Sequence, residues 1–261
     1  MPVLTAGVNQ VQAITWGETD DSNAYPNVGL MGVFSDEGPI GFCSGTLIGP
    51  DLVLTAGHCT EYALSLLGSE IATYVAVTFD QTAQYPGGIW YRAKEIVPHP
   101  DYNWGPTSDP RDVGLLILET PVPGIEPATL STLGFLTNLR EEGLLASGKN
   151  AAKFTVVGYG ATLDWPPPEI QFDFPPIRRI AESQYRALLK AWLRVSSHPK
   201  TGNGGTCKGD SGGPIFWEGS NGDRILVGIT SWGDANCLSM SFHYRTDIPE
   251  TLDFVADQAS R

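Results

Sequence analysis

Three short stretches of this chain carry side chains able to do nucleophilic chemistry. Ser211 lies inside Gly209-Asp210-Ser211-Gly212-Gly213-Pro214, and His58 inside Thr55-Ala56-Gly57-His58-Cys59. Asp112 heads the run Asp112-Val113-Gly114-Leu115-Leu116-Ile117-Leu118. A serine hydroxyl is a poor nucleophile at neutral pH. It needs a base to take its proton, and the base needs a third group to hold its tautomer. Histidine suits the base role because its ordinary pKa lies near the working pH, and a buried carboxylate suits the third role because it stabilises the imidazolium. Taken singly, each has a plain reading: a serine in a glycine turn, a histidine packed in a core, an aspartate flanking a strand. Three motifs in the order His, Asp, Ser over most of the chain point instead to one catalytic constellation.

The segment around Ser211 also fits G-x-S-x-G, the nucleophile elbow of a serine esterase of the α/β-hydrolase type. That elbow needs a helix after the serine and its histidine later in the chain. Here Pro214-Ile215-Phe216-Trp217 reads as a strand, and the later His243 stands in no comparable motif. The elbow is therefore rejected.

Together the three motifs resemble the trypsin/chymotrypsin-like serine endopeptidases. The resemblance implies Ser211 as nucleophile, His58 as general base and then acid, and Asp112 as orienting carboxylate. It also implies an oxyanion hole made by the N–H groups of Gly209 and Ser211, where losing one donor typically costs about 3 kcal/mol. Peptide-bond hydrolysis through an acyl-enzyme follows. A non-catalytic binding protein on the same fold is the competing class. It is disfavoured because no triad member is missing.

The four cysteines, Cys43, Cys59, Cys207 and Cys237, allow three connectivities. The resemblance selects Cys43–Cys59 and Cys207–Cys237, which would tie down the His58 and Ser211 loops. No C-x-x-C pair points to zinc. The triad needs no cofactor, and no metal-ligand set stands out. Paired cysteines imply an oxidising compartment, so the expected setting is extracellular. Residues 1–13 lack the basic start and long apolar core of a signal peptide, so secretion requires that a signal was removed earlier.

With 16 Lys and Arg against 29 Asp and Glu, the formal charge is −13. No basic patch offers itself to phosphates, so nucleic acid is excluded as a partner. No run of about 18 apolar residues suggests a transmembrane helix. The expected partners are protein or peptide substrates and proteinaceous inhibitors, acting on a monomer.

The 261 residues include 30 Gly and 20 Pro, which break the chain into many short apolar stretches. This reads as all-β. Strands are expected at 28–34, 41–48, 52–56, 74–79, 90–97, 114–118, 153–159, 214–217, 226–232 and 242–246. The resemblance turns them into two packed six-stranded antiparallel β-barrels with the site between them. The expected division is an N-terminal extension or short propeptide at 1–13, a first barrel at 14–130, a second at 131–246, and a C-terminal helix at 247–261. The apolar spacing of Tyr185, Leu188, Leu189, Trp192 and Leu193 predicts an intermediate helix over 183–195. Asp247 is the expected N-cap of the last helix. The proline-rich run from Asp164 to Pro176 reads as an exposed loop, placed by the resemblance on the leaving-group side of the cleft.

Ile14-Thr15-Trp16-Gly17-Glu18 resembles the mature start of the family, where a freed ammonium inserts beside the aspartate before the nucleophile, here Asp210. Ala13 is not the basic residue most family activators recognise. Either something non-tryptic cuts after Ala13, or Asp210 finds another cation. In trypsins an aspartate six residues before the nucleophile binds Lys or Arg. That position is Gly205, so the expected specificity is non-tryptic. Thr206, Lys208, Ser231, Trp232 and Gly233 are expected around the pocket. Phe242, if inward, would shorten it for small-to-medium apolar side chains, the first choice. His243, if inward with Thr206 and Lys208 nearby, would admit an acidic one. If both pack elsewhere, large apolar side chains fit.

Overall fold

The computed structural model describes residues 14–104, 108–163, 172–220 and 222–259. The expected extension at 1–13 lies outside them, as does the loop segment 164–171. In chain order the strands are β1 (Glu18–Thr19), β2 (Val28–Ser35), β3 (Gly38–Leu47), β4 (Leu52–Thr55), β5 (Tyr74–Thr78), β6 (Tyr91–Pro98), β7 (Gly114–Leu118) and β8 (Thr129–Leu130). They continue as β9 (Lys153–Gly158), β10 (Thr162–Leu163), β11 (Phe172–Asp173), β12 (Arg179–Leu188), β13 (Trp192–Ser196), β14 (Pro214–Glu218), β15 (Arg224–Gly233) and β16 (Met240–Arg245). The helices are α1 (Gly57–Gly68), α2 (Phe135–Glu141) and α3 (Pro249–Ala259).

The first barrel closes in the order β2-β3-β4-β7-β6-β5. Its strands are rich in β-branched and apolar residues that fit a pleated, buried surface. Val53 faces Leu116 and Leu54 faces Leu115 across β4 and β7, all four almost fully buried. The second barrel runs β12-β13-β16-β15-β14-β9 and closes through β9–β12. Every ladder within the two barrels is antiparallel. The strand after Ser211 is β14, so no helix follows the serine and the elbow reading is gone.

The intermediate helix expected over 183–195 does not form. β12 and β13 occupy that stretch as an antiparallel hairpin, turned by the hydrogen bond from Leu189 N–H to Trp192 O, 2.8 Å. Along β12 the buried residues Arg179, Ala181, Ser183 and Tyr185 alternate with more exposed ones, which is a strand's period. A register shift between Tyr185 and Ala187 breaks the alternation and leaves a spacing that imitates a helix face.

The barrels also exchange their ends. β1 pairs with β12, so residues 14–19 belong with the second barrel rather than in the first barrel's expected span. Strand β8 likewise joins β15 in parallel. In return α3 packs on the first barrel, with Phe254 against His99 at 5.0 Å and Glu250 paired to Arg111 at 2.8 Å. Asp247 does not cap α3. Its carboxylate accepts from Arg245 Nε and from the Leu136 N–H, at 2.8 and 2.9 Å.

A fully buried ion pair lies at the junction of the barrels. Arg178 Nε meets Asp20 Oδ2 at 2.8 Å. Its NH1 donates to the carbonyls of Val28 and Phe79 and to the Tyr159 hydroxyl, and its NH2 to Asn23 Oδ1. With Nε, NH1 and NH2 each bonded, the desolvation cost of the guanidinium is offset by charge-assisted bonds.

Candidate active site

His58 sits in the first turn of α1, immediately after β4. Asp112 lies just before β7, the strand paired to β4, and the β4–β7 register brings the two side chains together. Asp112 is completely buried, whereas the His58 side chain is 26% exposed. His58 Nδ1 lies 3.0 Å from Asp112 Oδ2 and 3.2 Å from Oδ1, and the His58 backbone N–H donates to Oδ1 at 2.8 Å. The Ser231 hydroxyl donates to Oδ2 from the second barrel. Burial pushes the Asp112 carboxyl up, but the His58 hydrogen bond and charge, with the Ser231 hydroxyl, outweigh it and hold the net value below the ordinary range. The segment before Asp112 is braced across the barrels by Tyr244 Oη to Asp109 at 2.7 Å and Trp192 Nε1 to the Ser108 carbonyl at 3.1 Å.

Ser211 is brought to the same place by backbone pairing. The Ser44 N–H donates to Ser211 O at 2.7 Å, and Thr55 Oγ1 donates to Ser44 O at 2.8 Å, three residues before His58. The disulfide Cys43–Cys59 joins β3 to α1 on either side of this contact. No hydrogen bond links Ser211 Oγ to His58 among the described residues; unliganded catalytic pairs are often loose. Gly209 has φ +92°, and a β-carbon there would collide with the Phe42 ring, so only glycine serves. Among the described residues, the N–H groups of Gly209 and Ser211 have no acceptor.

Beside Ser211 a pocket of about 190 Å³ is lined by Thr206, Lys208, Ser231, Trp232, Gly233 and Asp234. The disulfide Cys207–Cys237 ties its walls. Gly205 does not line it. That residue packs against Ser197 so closely that any β-carbon would collide with the serine side chain. Phe242 does not line it either. Opposite Trp232 in the β15–β16 register, its ring stacks on the indole at 3.7 Å with 6° between planes. Its neighbours in β16, Ser241 and His243, turn inward instead. His243 is fully buried, bonded to Thr230 and Ser241, and pushed down to about 3 by burial, so it is neutral and forms no cationic pocket floor. Asp234, at the pocket wall, is occupied by the N–H groups of Leu238, Ser239 and Met240 at 3.0, 2.7 and 3.1 Å. Lys208 lies 4.0 Å above the Phe172 ring.

Asp210 is fully buried and accepts from the N–H groups of Gly160 and Cys207 at 2.7 and 2.8 Å. No cation pairs with it among the described residues, and burial pushes its carboxyl up to about 7. Ile14 is fully buried in the second barrel's core with Leu136 and Phe154 and makes no bond to Asp210.

Sequence reasoning missed the Ser231–Asp112 bond, the exposed Trp104 ring 5.7 Å from His58, and the Phe42–Gly209 contact. None has a local signal, because each depends on how the barrels dock.

A family model described as Trypsin matches residues 14–254. The chain belongs to the trypsin family. Trypsin of Simulium vittatum is 30% identical over 241 residues, covering 88% of this chain and 85% of that protein. The CLIP domain-containing serine protease B15 of Anopheles gambiae is 28% identical, covering 96% of this chain and 71% of that one. Kallikrein 1-related peptidase b27 of Mus musculus is 31% identical, covering 75% and 71%. The solved structure of HL collagenase aligns at a TM-score of 0.68 and 18% identity over 94% of this chain and 98% of that one, a likeness of fold. As a trypsin-family member the chain is a serine endopeptidase. The Cys43 and Cys59 sulfurs, close to the His58 imidazole, are bonded to each other and offer no thiolate to a metal.

Proposed function

We propose that this trypsin-family chain hydrolyses peptide bonds through His58, Asp112 and Ser211 and does not favour Lys or Arg before the scissile bond. The observation that carries the reading is the 3.0 Å contact from His58 Nδ1 to a buried Asp112 carboxylate. It commits Nδ1–H to Asp112 and leaves Nε2 for proton transfer. Ser211 Oγ attacks the carbonyl carbon while its proton passes to His58 Nε2. The oxyanion accepts hydrogen bonds from the N–H groups of Gly209 and Ser211. His58 then protonates the leaving amine, and water repeats the sequence to free the acid.

The non-tryptic specificity is supported by Gly205, which has no room for a side chain, and by Asp234, whose oxygens are taken by backbone N–H groups. Phe242 and His243 both lie outside the lining, and its two charged residues are engaged, Asp234 by backbone N–H groups and Lys208 over the Phe172 ring, which favours an apolar side chain. The two disulfides support an extracellular setting. Among the described residues no helix is long and apolar enough to cross a membrane. Activation by a cut before Ile14 is supported by the lack of a cation at Asp210 among the described residues. That same lack is what favours the second reading, a non-catalytic binding protein on this fold.

The test is a cleavage profile of a diverse peptide library by the wild type and Ser211→Ala, with intact mass recorded. Cleavage by the chain starting at Ile14, lost in Ser211→Ala, with apolar residues before the cut, is expected. A Lys or Arg preference overturns the specificity. Inertness of the Ile14-started chain moves the assignment to the binding protein.

A further inference from the structure

The first-barrel residue that receives Ser211 also holds Gly209. Ser44 lies in β3 beside Cys43 and is fully buried. Its N–H donates to Ser211 O at 2.7 Å, and its hydroxyl donates to Gly209 O at 3.1 Å. Gly209 and Ser211 are the two residues whose N–H groups have no acceptor among the described residues. Both surrender their carbonyls to Ser44.

The hydroxyl is itself held. It accepts from the Tyr159 N–H at 3.3 Å, just after β9. The next amide, Gly160 N–H, donates to Asp210 Oδ1 at 2.7 Å. The turn after β9 thus grips the Gly209–Asp210 peptide from both sides, through Ser44 on Gly209 and directly on Asp210. Three glycines frame the serine. A β-carbon on Gly212 would collide with Ser44 O, one on Gly213 would lie 3.1 Å from Ser44 Cβ, and one on Gly158 would lie 3.2 Å from Ser44 Oγ.

Gly209 needs such a hold. At φ +92° it sits where glycine alone is at ease, and it has no side chain with which to fix its own peptide. An oxyanion donor is most effective when it is in place before charge develops, because no reorganisation is then left for the moment of reaction. We propose that Ser44 is a positioning residue for the oxyanion hole, its hydroxyl and N–H fixing the Gly209–Ser211 backbone so that both N–H groups face the cleft. Ser44 touches no reacting atom and acts through Gly209 and Ser211. The proposal rests on the endopeptidase reading above and deepens it.

Two measurements test it in Ser44→Ala and Ser44→Gly, both of which remove the hydroxyl without adding bulk. The first compares a peptide aldehyde with the matching peptide alcohol as inhibitors of the chain starting at Ile14. Ser211 Oγ adds to the aldehyde carbon, its proton passes to His58, and the carbonyl oxygen becomes the oxyanion; the alcohol forms no such adduct. In the variants the Ki of the aldehyde is expected to rise about ten-fold and that of the alcohol to stay within two-fold. With peptide substrates kcat should fall about ten-fold, and KM should stay within two-fold. The comparison is made within each variant, so a general loss of folded protein cancels. The second measurement follows amide hydrogen exchange across residues 205–214 in Ser211→Ala with and without the Ser44 change. Exchange at least five-fold faster without the hydroxyl is expected. Equal loss of aldehyde and alcohol binding makes Ser44 a packing residue only and overturns the proposal, as does unchanged exchange. Faster exchange with no cleavage of any peptide by the Ile14-started wild type keeps the clamp and overturns the endopeptidase reading instead.

Discussion

The Ser231 hydroxyl, on the second barrel, donates to Asp112 Oδ2, the same carboxylate oxygen that lies 3.0 Å from His58 Nδ1 on the first. Docking of the barrels is thereby written into the electrostatics of the imidazole. In Ser231→Ala the carboxylate keeps His58 but loses its second donor. One such bond to a charged group contributes about 1.5–3 kcal/mol, and each 1.36 kcal/mol of barrier is ten-fold in rate. A ten-fold or larger fall in kcat is expected. An unchanged kcat would show that the hydroxyl does not support the triad.

Asp112→Asn keeps the shape and removes the charge. Its amide cannot serve both His58 N–H groups as the carboxylate does, so the imidazole is held in the wrong tautomer. Loss of kcat by roughly ten-thousand-fold is expected with the fold intact by circular dichroism.

Asp210 predicts a pH dependence of stability. Its carboxyl is raised to about 7 in the folded chain against the ordinary carboxylate value when unfolded. Between those values the folded state holds the extra proton, so this contribution is full in acid and lost as pH rises through 7. His243, lowered to about 3 by burial, works the other way, losing stability as pH falls below its ordinary value. Comparing the uncut chain with Asp210→Asn cancels His243. The urea midpoint of the variant should exceed that of the wild type at pH 8 and converge with it at pH 4. In the chain cut before Ile14 the sign should reverse at pH 8, because removing the carboxylate would strand the new ammonium.

Gly205→Asp, the change that would imitate a basic-specific pocket, should fail. Its β-carbon meets Ser197, and its charge would be buried without a partner. A fall in Tm of several degrees, with no gain of Lys or Arg cleavage, is expected; a stable variant that cuts after Lys would refute the packing.

Arg178→Met strands Asp20 without its cation inside the junction, and breaking a buried pair this way costs about 3–5 kcal/mol. The double variant Arg178→Met/Asp20→Asn should recover part of that in denaturant unfolding. No recovery would mean that the carbonyl and Asn23 contacts, not the ion pair, matter.

Much of this was legible before the structure. Ten strands stood out because their residues are apolar, β-branched and bounded by Gly or Pro, and β7 at Gly114–Leu118 matches the expected range to the residue. The β12–β13 hairpin was misread because a bulge broke its alternation. Helix α1 was not legible although Ala63, Leu66 and Leu67 have helical spacing, because it starts without a side-chain N-cap and carries no acidic residue in its first turn or basic residue in its last. His58, Asp112 and Ser211 were visible as motifs, but Ser231 as a donor and Phe242 as an outward ring follow from the β15–β16 register, which no local pattern encodes.

The exchanged ends of the chain bear on when the protein becomes dangerous to its maker. During synthesis the first barrel can emerge with His58 and Asp112, yet the hydroxyl from Ser231 and the α3 brace on Arg111 arrive only with the last third of the polypeptide. A ribosome-bound or truncated chain that ends before Ser231 therefore carries His58 and Asp112 without the second-barrel contacts that hold them, so proteolytic competence is expected to arise only once the last third of the chain has folded.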